Sequence, residues 1–315
     1  MNTTRTLTFS VLGTLLLGVN GFFAAPATAQ ESDAPDTIQT FPVGRLPSGL
    51  AFDGENIWVV SSFSGAVSKL RASDGVLVGT FGVGSSPLNA VFDGANIWVT
   101  NVGSDNVTKL RASDGAVLGT FSDGLDHPFG IVFDGENVWV TNYIFSTVAK
   151  VRASDGVLID TFHTGKYPTA LAFDGANIWV TNNGDDSVTK LRARDGALRG
   201  TFAVGGGPSG IALGPGEVWV TNYFDDTVTV LDRNGAIEGT FPAGDGPTNL
   251  AFDGDNMWVT NYYSATVTRL RVRDGTVTRI YGVEHGPWWG ILFDGANIWV
   301  ANHDSNSVSK ISRNQ

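Results

Sequence analysis

One eleven-residue segment recurs along most of the chain and constrains its fold more than any other feature. The copy at 172–182 reads AFDGANIWVTN, and its tryptophan marks seven copies. The marker tryptophans are Trp58, Trp98, Trp139, Trp179, Trp219, Trp258 and Trp299. Successive markers are 39 to 41 residues apart, a period that is typical of propellers and solenoids.

Each repeat predicts four short antiparallel strands. In the fourth copy, an apolar segment at 168–174 predicts the first strand, and a tight turn leads from it to the second strand at 178–182. The second strand shows no alternation of polar and apolar residues, which indicates that both of its faces are covered. Residues 187–192 alternate with period two, and Asp195-Gly196 is a hairpin signal before a fourth strand at 197–204. We therefore predict an all-β, seven-bladed β-propeller of four-stranded antiparallel blades.

The two ends of the repeat region complement each other. Residues 37–44 read TIQTFPVG, which matches the fourth-strand pattern of other copies, although no blade precedes them. The last copy has a third strand at 307–311 and no fourth strand before Gln315. We expect the N-terminal strand to complete the last blade, which closes the propeller over 37–315 and leaves no open sheet edge between the termini.

Residues 1–29 have the features of a signal peptide. Arg5 is the only charge before an apolar run from Leu7 to Ala25, and the small residues 27–29 fit a cleavage site. The alternative is an uncleaved membrane anchor, but glycines interrupt the run and it is short for a span. We expect cleavage, a polar spacer at 30–36, no membrane span in the mature protein, and export to a periplasm or to the extracellular medium.

The composition narrows the class of protein further. The chain has no cysteine, so an exported form folds without disulfides and carries no cysteine-linked lipid. Its formal net charge is −11, which repels a phosphate backbone, and its Lys-Leu-Arg triplets are spread evenly over the repeats. We predict no nucleic-acid partner, and we expect these cations to pair with turn aspartates or to face solvent. We also expect a monomer.

Most of the repeated residues have structural explanations. The marker tryptophans are expected to fill the layers between blades, and the Asp-Gly pairs are expected to form strand reversals rather than metal sites. The pairs Asp185-Asp186 and Asp225-Asp226 could hold Ca²⁺, but serine begins a turn at this position in other copies. No catalytic triad, phosphate loop or nucleotide fingerprint is present. We therefore predict no metal, no cofactor and no catalytic residues.

The repeat resembles a known family. Trp-Val-Thr-Asn occurs at 98–101, 139–142, 179–182, 219–222 and 258–261. Most copies also carry Phe-Asp-Gly upstream and Gly-Thr-Phe downstream. The unit is similar to the YVTN-type β-propeller repeat, with Trp in place of Tyr. This resemblance implies an exported or surface propeller and indicates no particular activity.

A more distant resemblance is to streptogramin (virginiamycin B) lyases, whose repeats look like Trp-Phe-Thr-Glu where this chain has Trp-Val-Thr-Asn. This resemblance would imply a histidine base and Glu-bound Mg²⁺ near the central channel. The compact candidate set here is Glu284, His285 and His303, which does not align with that family's site, and no repeat keeps the Glu. A metal-dependent lyase or hydrolase therefore stands as an alternative function.

The copies differ from one another mainly in the loops of one face. We define the top face as the loops from the second to the third strand of each blade and from the fourth strand to the next blade. Aromatic and histidine residues are concentrated there, which predicts a recognition surface for a small molecule, glycan or peptide. The candidate ligand-binding residues are Trp288, Trp289, Phe129, His127, Tyr143, Tyr223, Tyr262, His285 and His303.

Trp288 and Trp289 are the strongest of these candidates. From its proline to its marker tryptophan, the seventh copy spans 12 residues against 11 in the first copy, so repeat packing alone does not explain the pair. The open alternative is that the top-face aromatics cap the blades and close the channel mouth. A closed mouth would favour an envelope-associated structural protein without a small ligand.

Overall fold

A computed structural model of the chain describes residues 36–312, and the predicted signal peptide and all but the last spacer residue lie outside the described residues. The described part forms 28 strands in seven antiparallel sheets of four strands each. The prediction of an all-β, seven-bladed β-propeller is therefore confirmed. One short 3₁₀ turn, Val102–Ser104, interrupts a top-face loop.

The blades follow one another along the chain, from inner to outer strand. Blade 1 comprises β2 (Pro47–Phe52), β3 (Asn56–Ser61), β4 (Ala66–Arg71) and β5 (Leu77–Gly82). Blade 2 comprises β6 (Pro87–Phe92), β7 (Asn96–Asn101), β8 (Asn106–Arg111) and β9 (Val117–Phe121). Blade 3 comprises β10 (Pro128–Phe133), β11 (Asn137–Asn142), β12 (Thr147–Arg152) and β13 (Leu158–His163). Blade 4 comprises β14 (Pro168–Phe173), β15 (Asn177–Asn182), β16 (Ser187–Arg192) and β17 (Leu198–Ala203).

The remaining blades have the same order except for the last. Blade 5 comprises β18 (Pro208–Leu213), β19 (Glu217–Asn222), β20 (Thr227–Asp232) and β21 (Ile237–Pro242). Blade 6 comprises β22 (Pro247–Phe252), β23 (Asn256–Asn261), β24 (Thr266–Arg271) and β25 (Val277–Gly282). Blade 7 comprises β26 (Pro287–Phe293), β27 (Asn297–Asn302), β28 (Ser307–Ser312) and, as its outer strand, β1 (Thr37–Pro42).

The sheets close into a ring as the sequence predicts. β1 pairs antiparallel with β28, from Thr37 opposite Ser312 to Pro42 opposite Ser307. The inner strand of each blade contacts the inner strands of the two neighbouring blades, and β26 of blade 7 contacts β2 of blade 1. The inner strands therefore surround the centre of the ring, and blades that are not neighbours face each other across it.

The marker tryptophans form the core between blades. All seven are fully buried, and each stacks on an aromatic ring of an outer strand, as Trp98 does on Phe121 at 5.4 Å. The Trp98 indole Nε1 donates a hydrogen bond to Asp93 Oδ2 at 2.8 Å. Asp93 Oδ1 accepts the backbone N–H of Asn96 at 2.7 Å. The aspartate of this repeated turn is therefore used within the blade, in agreement with its interpretation as a turn residue.

The lysines of the Lys-Leu-Arg triplets lie between blades rather than in solvent, and one of them, Lys69, also pairs with a turn aspartate, Asp53, at 3.7 Å. Lys109 is only 8% exposed; its Nζ lies 5.0 Å from the Trp98 ring centroid and donates to the backbone carbonyl of Ala153 in blade 3 at 2.7 Å. The triplet arginines do pair with turn aspartates, as Arg111 does with Asp114 at 2.8 Å. The lysines are thus buried ties between neighbouring blades.

A phenylalanine of each outer strand reaches over the next blade's turn. Phe81 of blade 1 lies so close to Gly115 of blade 2 that a Cβ atom there would come within 2.1 Å of its ring. Gly115 also has a φ of 74°, so both its dihedral angle and the lack of space require glycine. The arrangement recurs at six of the seven junctions, for Phe41, Phe81, Phe121, Phe162, Phe202 and Phe241.

The seventh junction, from blade 6 to blade 7, differs because the two chain ends meet in blade 7. Tyr281 occupies the position of the phenylalanines, and its hydroxyl donates to Asp36 Oδ2 at 2.6 Å. Arg279 Nη1 lies 3.1 Å from the same oxygen. Asp36 therefore belongs to the propeller rather than to the predicted spacer, and it fixes the start of β1 to blade 6.

Candidate functional site

The top-face loops are held by hydrogen bonds from their own carboxylates. Asp185 Oδ2 accepts the backbone N–H of Lys166 at 2.8 Å, and Asp225 Oδ2 accepts that of Gly206 at 2.6 Å. The following aspartate of each pair reaches the next blade: Asp186 Oδ1 accepts the N–H of Gly207 at 2.9 Å. These bonds account for the two acidic pairs as turn residues, and they give the loops a defined shape.

Four aromatic residues form a first row from the rim of the top face to its centre. The rings of Tyr167 and Tyr143 stack at a centroid distance of 5.0 Å, and Tyr143 stacks on Phe129 at 5.4 Å. Phe129 then meets Trp289 edge-on at 5.0 Å. Burial raises the pKa of Tyr143 above its ordinary value, so this phenol is neutral at neutral pH.

The contact between Phe129 and Trp289 crosses the centre of the ring. Phe129 belongs to the inner strand of blade 3 and Trp289 to that of blade 7, and these blades are not neighbours. β26 has seven residues, and its pairing with β27 shifts register between Pro287 and Ile291. The additional residue places Trp289 in the centre, where it is only 7% exposed and its Nε1 has no hydrogen-bond partner.

Trp289 is therefore not a surface residue. The sequence predicts one shared ligand-binding role for Trp288 and Trp289, but the bulge in β26 separates their environments. Trp289 and Phe129 meet in the centre of the ring, which is the arrangement expected of a structural protein without a small ligand.

A second aromatic row lies on blades 5 to 7. Tyr223 contacts Tyr263 at 5.8 Å, Tyr263 contacts Tyr262 at 5.2 Å, and Tyr262 contacts Trp288 at 5.1 Å. Trp288 is half-buried and also lies 5.0 Å from the ring of His303. The inner strand of blade 6 holds the end of the row in place, because Thr248 Oγ1 donates to the Trp288 carbonyl at 2.9 Å.

Hydrogen bonds connect the polar ends of this second row. The Tyr223 hydroxyl donates to the Tyr263 hydroxyl at 2.8 Å, and the Tyr262 hydroxyl donates to Asp304 Oδ2 at 3.1 Å. His303 Nδ1 lies 2.8 Å from Asp304 Oδ1. Burial raises the pKa of Tyr223 and Tyr262, and the hydrogen bonds to Tyr263 and Asp304 raise them further. Both phenols therefore offer hydrogen bonds as neutral groups.

The other two predicted histidines contact these groups through their backbones: the His127 carbonyl accepts the Tyr143 N–H at 3.3 Å, and the His285 carbonyl accepts the Asp304 N–H at 3.2 Å. His285 is exposed, and its backbone N–H donates to Ser305 Oγ at 3.0 Å. His127 Nδ1 lies 2.6 Å from Asp126 Oδ1, and its backbone N–H donates to Asp105 Oδ1 at 2.8 Å. The hydrogen bond to Asp126 raises the pKa of His127. The structure thus joins seven of the nine predicted residues through ring contacts that lead to Trp288 or Trp289. His127 and His285 are joined to these groups through their backbones.

Within residues 36–312, one set of three histidine or carboxylate side chains brings its potential ligand atoms within 4.8 Å of one another, namely Asp105, Asp126 and His127. His127 connects the two carboxylates, because its Nδ1 lies within hydrogen-bond distance of Asp126 and its backbone N–H donates to Asp105. Glu284, His285 and His303 do not form such a set, and Glu284 Oε2 instead accepts a hydrogen bond from Ser307 Oγ at 3.1 Å. The geometry that the lyase alternative requires is not found in these side chains.

The candidate ligand-binding residues predicted from the sequence do not include the most exposed aromatic residues of the top face. Five aromatic side chains in the described residues are exposed, and all of them lie in top-face loops: Phe63 (62%), Phe145 (65%), Tyr167 (44%), Phe224 (71%) and Tyr263 (63%). Phe63, Phe224 and Tyr263 share one repeat position, the second residue after the motif. The loops that follow the motif include Phe224 and Tyr263, but Phe63 was not recognised because the first copy reads Trp-Val-Val-Ser at 58–61 and departs from the motif.

The top face is also strongly acidic. Its fourteen loops contain ten carboxylates and two cationic side chains, a formal charge of −8 out of −11 for the whole chain. The acidic residues are Asp105, Asp123, Asp126, Asp185, Asp186, Asp225, Asp226, Asp245, Glu284 and Asp304, and the cations are Arg45 and Lys166. A surface of this sign attracts cationic ligands and repels anionic ones.

Comparison with known proteins gives a likeness of fold. No family model matches the chain, and no curated protein matches it. A solved streptogramin B lyase is 20% identical, with a TM-score of 0.78 over 89% of this chain and 98% of that one. A catalytically inactive virginiamycin B lyase from Staphylococcus aureus, solved with quinupristin, is 17% identical, with a TM-score of 0.77 over 88% of this chain and 99% of that one.

A third solved protein shares the fold and has a different name. Hydrazine synthase from Kuenenia stuttgartiensis is 18% identical, with a TM-score of 0.75 over 92% of this chain and 99% of that chain. The likeness to lyase-type propellers that the sequence suggests is therefore confirmed as a likeness of fold, and the likeness to YVTN-type repeats stays a prediction. No helix within residues 36–312 is both long and apolar enough to cross a membrane.

Proposed function

We propose that the protein is an exported binding module that recognises a small molecule, glycan or peptide through its top face. The observation that carries this proposal is that every exposed aromatic side chain of residues 36–312 lies in a top-face loop. Exposed aliphatic residues, apart from Ile144, lie on the outer strands or in the turns before them. The aromatic concentration is thus specific to one face, and such patches are typical of recognition surfaces.

The closed centre determines where a ligand could lie. Phe129 and Trp289 occupy the centre of the ring, so the accessible aromatic surface is the second row together with the exposed rings beside it. Trp288, Tyr223 and Tyr262 are the predicted residues on this surface. A ligand that lies across the face would contact them, whereas His127 and His285 would contact only a ligand that extends towards blades 3 and 7.

The test uses four probes of defined chemistry: an arginine hexapeptide, a glutamate hexapeptide, a neutral Gly-Ser-Asn hexapeptide and a neutral hexasaccharide. Binding is measured by isothermal titration calorimetry to the wild type and to the triple variant Phe224→Ser, Tyr263→Ser, Trp288→Ser. A matched control carries Leu77→Ser, Leu118→Ser and Leu198→Ser, which remove exposed apolar area from outer strands. Thermal unfolding of all three proteins verifies that they are folded.

We expect at least one probe to bind the wild type and the control equally, and to bind the top-face variant about tenfold more weakly, which corresponds to about 1.4 kcal/mol. The proposal is refuted if the probes that bind the wild type bind the top-face variant with the same affinity. It is also refuted if none of the four probes binds.

The second candidate function is an envelope-associated structural protein without a small ligand. The closure of the ring centre by Phe129 and Trp289 favours it, because a plugged centre contributes stability and offers no pocket. Failure of all four probes to bind would support this candidate.

A further inference from the structure

In blade 1, a cationic side chain of the protein itself lies on a top-face aromatic ring. In blade 1, the guanidinium Cζ of Arg45 lies 4.0 Å from the centroid of the Phe63 ring. Arg45 is the second residue before the first proline of its blade, and Phe63 is the second residue after the motif. A guanidinium over an aromatic face is attracted by the negative charge of the ring face. Blade 1 thus supplies its own cation.

The equivalent rings of blades 5 and 6 have no cation at the equivalent position. Phe224 and Tyr263 correspond to Phe63, while Gly206 and Asp245 correspond to Arg45. Phe224 is 71% exposed and Tyr263 is 63% exposed. Phe63 is itself 62% exposed, so Arg45 lies on one face of that ring and leaves the rest of it accessible. Blades 5 and 6 have no such cation of their own, and in blade 6 a carboxylate replaces it.

The charges around these two rings favour a cation from outside. Asp225 and Asp226 follow Phe224 directly. Asp245 lies next to Tyr263, because the Asp245 backbone carbonyl accepts the Tyr263 N–H at 3.2 Å. From blade 4 to blade 7 the top-face loops contain seven carboxylates and one cation, Lys166. An incoming ammonium or guanidinium group would therefore gain attraction from the rings and from the surrounding carboxylates.

The two rings are spaced for more than one cationic group. Their centroids lie 5.4 Å and 5.8 Å from the Tyr223 ring, so they are at most about 11 Å apart. Alternate residues of an extended peptide are about 6.6 Å apart, and arginine and lysine side chains are long enough to cover the remaining distance. A single small cation would occupy only one of the two rings.

We propose that the top face of blades 5 and 6 binds a basic peptide segment, with its arginine or lysine side chains lying on Phe224 and Tyr263. This inference rests on the proposed role of the top face as a binding surface and specifies the chemistry of the ligand. The cation–ring contact that Arg45 and Phe63 make within this protein would then form between the protein and its peptide ligand.

The test measures binding of a fluorescent arginine hexapeptide by anisotropy. Phe224→Leu and Tyr263→Leu keep the charge of the face and remove one ring each. We expect each to weaken binding about 2- to 5-fold, as expected for exposed cation–π contacts. Phe63→Leu is the matched control and should leave the affinity unchanged, because a cation of the chain already lies on that ring and the two top-face loops beside it, 43–46 and 62–65, contain no carboxylate. Thermal unfolding again verifies that each variant is folded.

Two further variants change where the protein supplies its own cation: one adds a cation to blade 6 and the other removes the cation of blade 1. Asp245→Arg should place a cation over Tyr263 within the chain and weaken peptide binding more than Asp123→Arg, which changes the charge equally in a loop of blade 3. Arg45→Ser should uncover Phe63 and increase the affinity or the number of peptides bound.

The results separate this inference from the proposed function. The inference is overturned if the Phe224→Leu, Tyr263→Leu double variant binds the peptide as the wild type does, or if Phe63→Leu weakens binding to the same degree. It is also overturned if arginine amide binds as tightly as the hexapeptide, which would indicate a small cation as the ligand. If the neutral or anionic probes bind the top face and the arginine hexapeptide does not, the inference fails while the proposed function stands.

Discussion

Replacing the adjacent residues Trp288 and Trp289 separately by alanine should cause very different losses of stability. Trp289 is 7% exposed and packs against Phe129 in the centre of the ring, whereas Trp288 is half-buried on the top face. If both were ligand-binding residues on the surface, as the sequence predicts, both could be replaced with little loss of stability. The structure limits that expectation to Trp288.

The magnitude for Trp289→Ala follows from two opposing effects. Removing a buried tryptophan side chain costs about 3–5 kcal/mol. The substitution also removes the Trp289 Nε1 donor, which has no hydrogen-bond partner. An unpaired buried donor destabilises the folded state by about 1–3 kcal/mol, so its removal offsets part of the loss. We expect a net loss of about 2 kcal/mol, or about 4 °C in Tm for a protein of this size. Trp288→Ala should lose about 1 kcal/mol, the value of its aromatic contacts.

The measurement is urea unfolding followed by circular dichroism, together with calorimetric Tm values. Trp289→Phe is the informative third variant, because it keeps a ring next to Phe129 and removes the unpaired N–H. Its Tm should lie closer to that of the wild type than to that of Trp289→Ala. If Trp289→Ala is no more damaging than Trp288→Ala, or if Trp289→Phe is as damaging as Trp289→Ala, the assignment of Trp289 as the plug of the ring is wrong.

Three further predictions concern two contacts between blades and one turn within a blade. Tyr281→Phe should lower the free energy of unfolding by about 1–2 kcal/mol, because it removes the hydrogen bond to Asp36; an unchanged urea midpoint would contradict the anchoring role. Lys109→Met should cost about 1–2 kcal/mol by removing the bond to Ala153, while Arg111→Met, which breaks only an exposed ion pair, should change stability by less than about 1 kcal/mol. Burial raises the pKa of Asp93, but hydrogen bonds from Asn96 and Trp98 lower it more, so the folded-state pKa lies below the ordinary 3.8. This stabilisation is present above pH 3.8 and is lost as the pH falls through the folded-state pKa, so Asp93→Asn should make acid unfolding less steep; equal slopes would contradict this assignment.

The fold was predictable because the same strand and turn signals recur in each repeat. The marker tryptophan, the Asp-Gly turns and the motif strand give one blade, and seven copies with complementary ends give a closed ring. The lysine ties were not predictable from composition. Lys109 looks like an exposed alternating residue in its own strand, and only the position of the neighbouring blade shows that its ammonium group meets a buried carbonyl.

The candidate site was predictable in part. Irregular loops indicated the top face, and the inserted residue in the seventh copy indicated that β26 is unusual. The direction of the two tryptophans could not be predicted, because one extra residue in a strand can turn a side chain to either face. Phe63 and Arg45 were not recognised, because their contact depends on two loops that are 18 residues apart in sequence.

The pairing of β1 with β28 has a consequence for the order of events during biosynthesis. Thr37 and Ser312 are strand partners although 275 positions separate them. The first strand to be synthesised therefore has no partner strand until the last one has been synthesised. Blades 1 to 6 can each assemble from contiguous chain, whereas blade 7 depends on a contact of the longest range, which is slow to form. A circular permutant that opens the chain between Asp74 and Gly75, with residue 312 linked to residue 36, would convert this late step into a local hairpin and transfer the delay to blade 1.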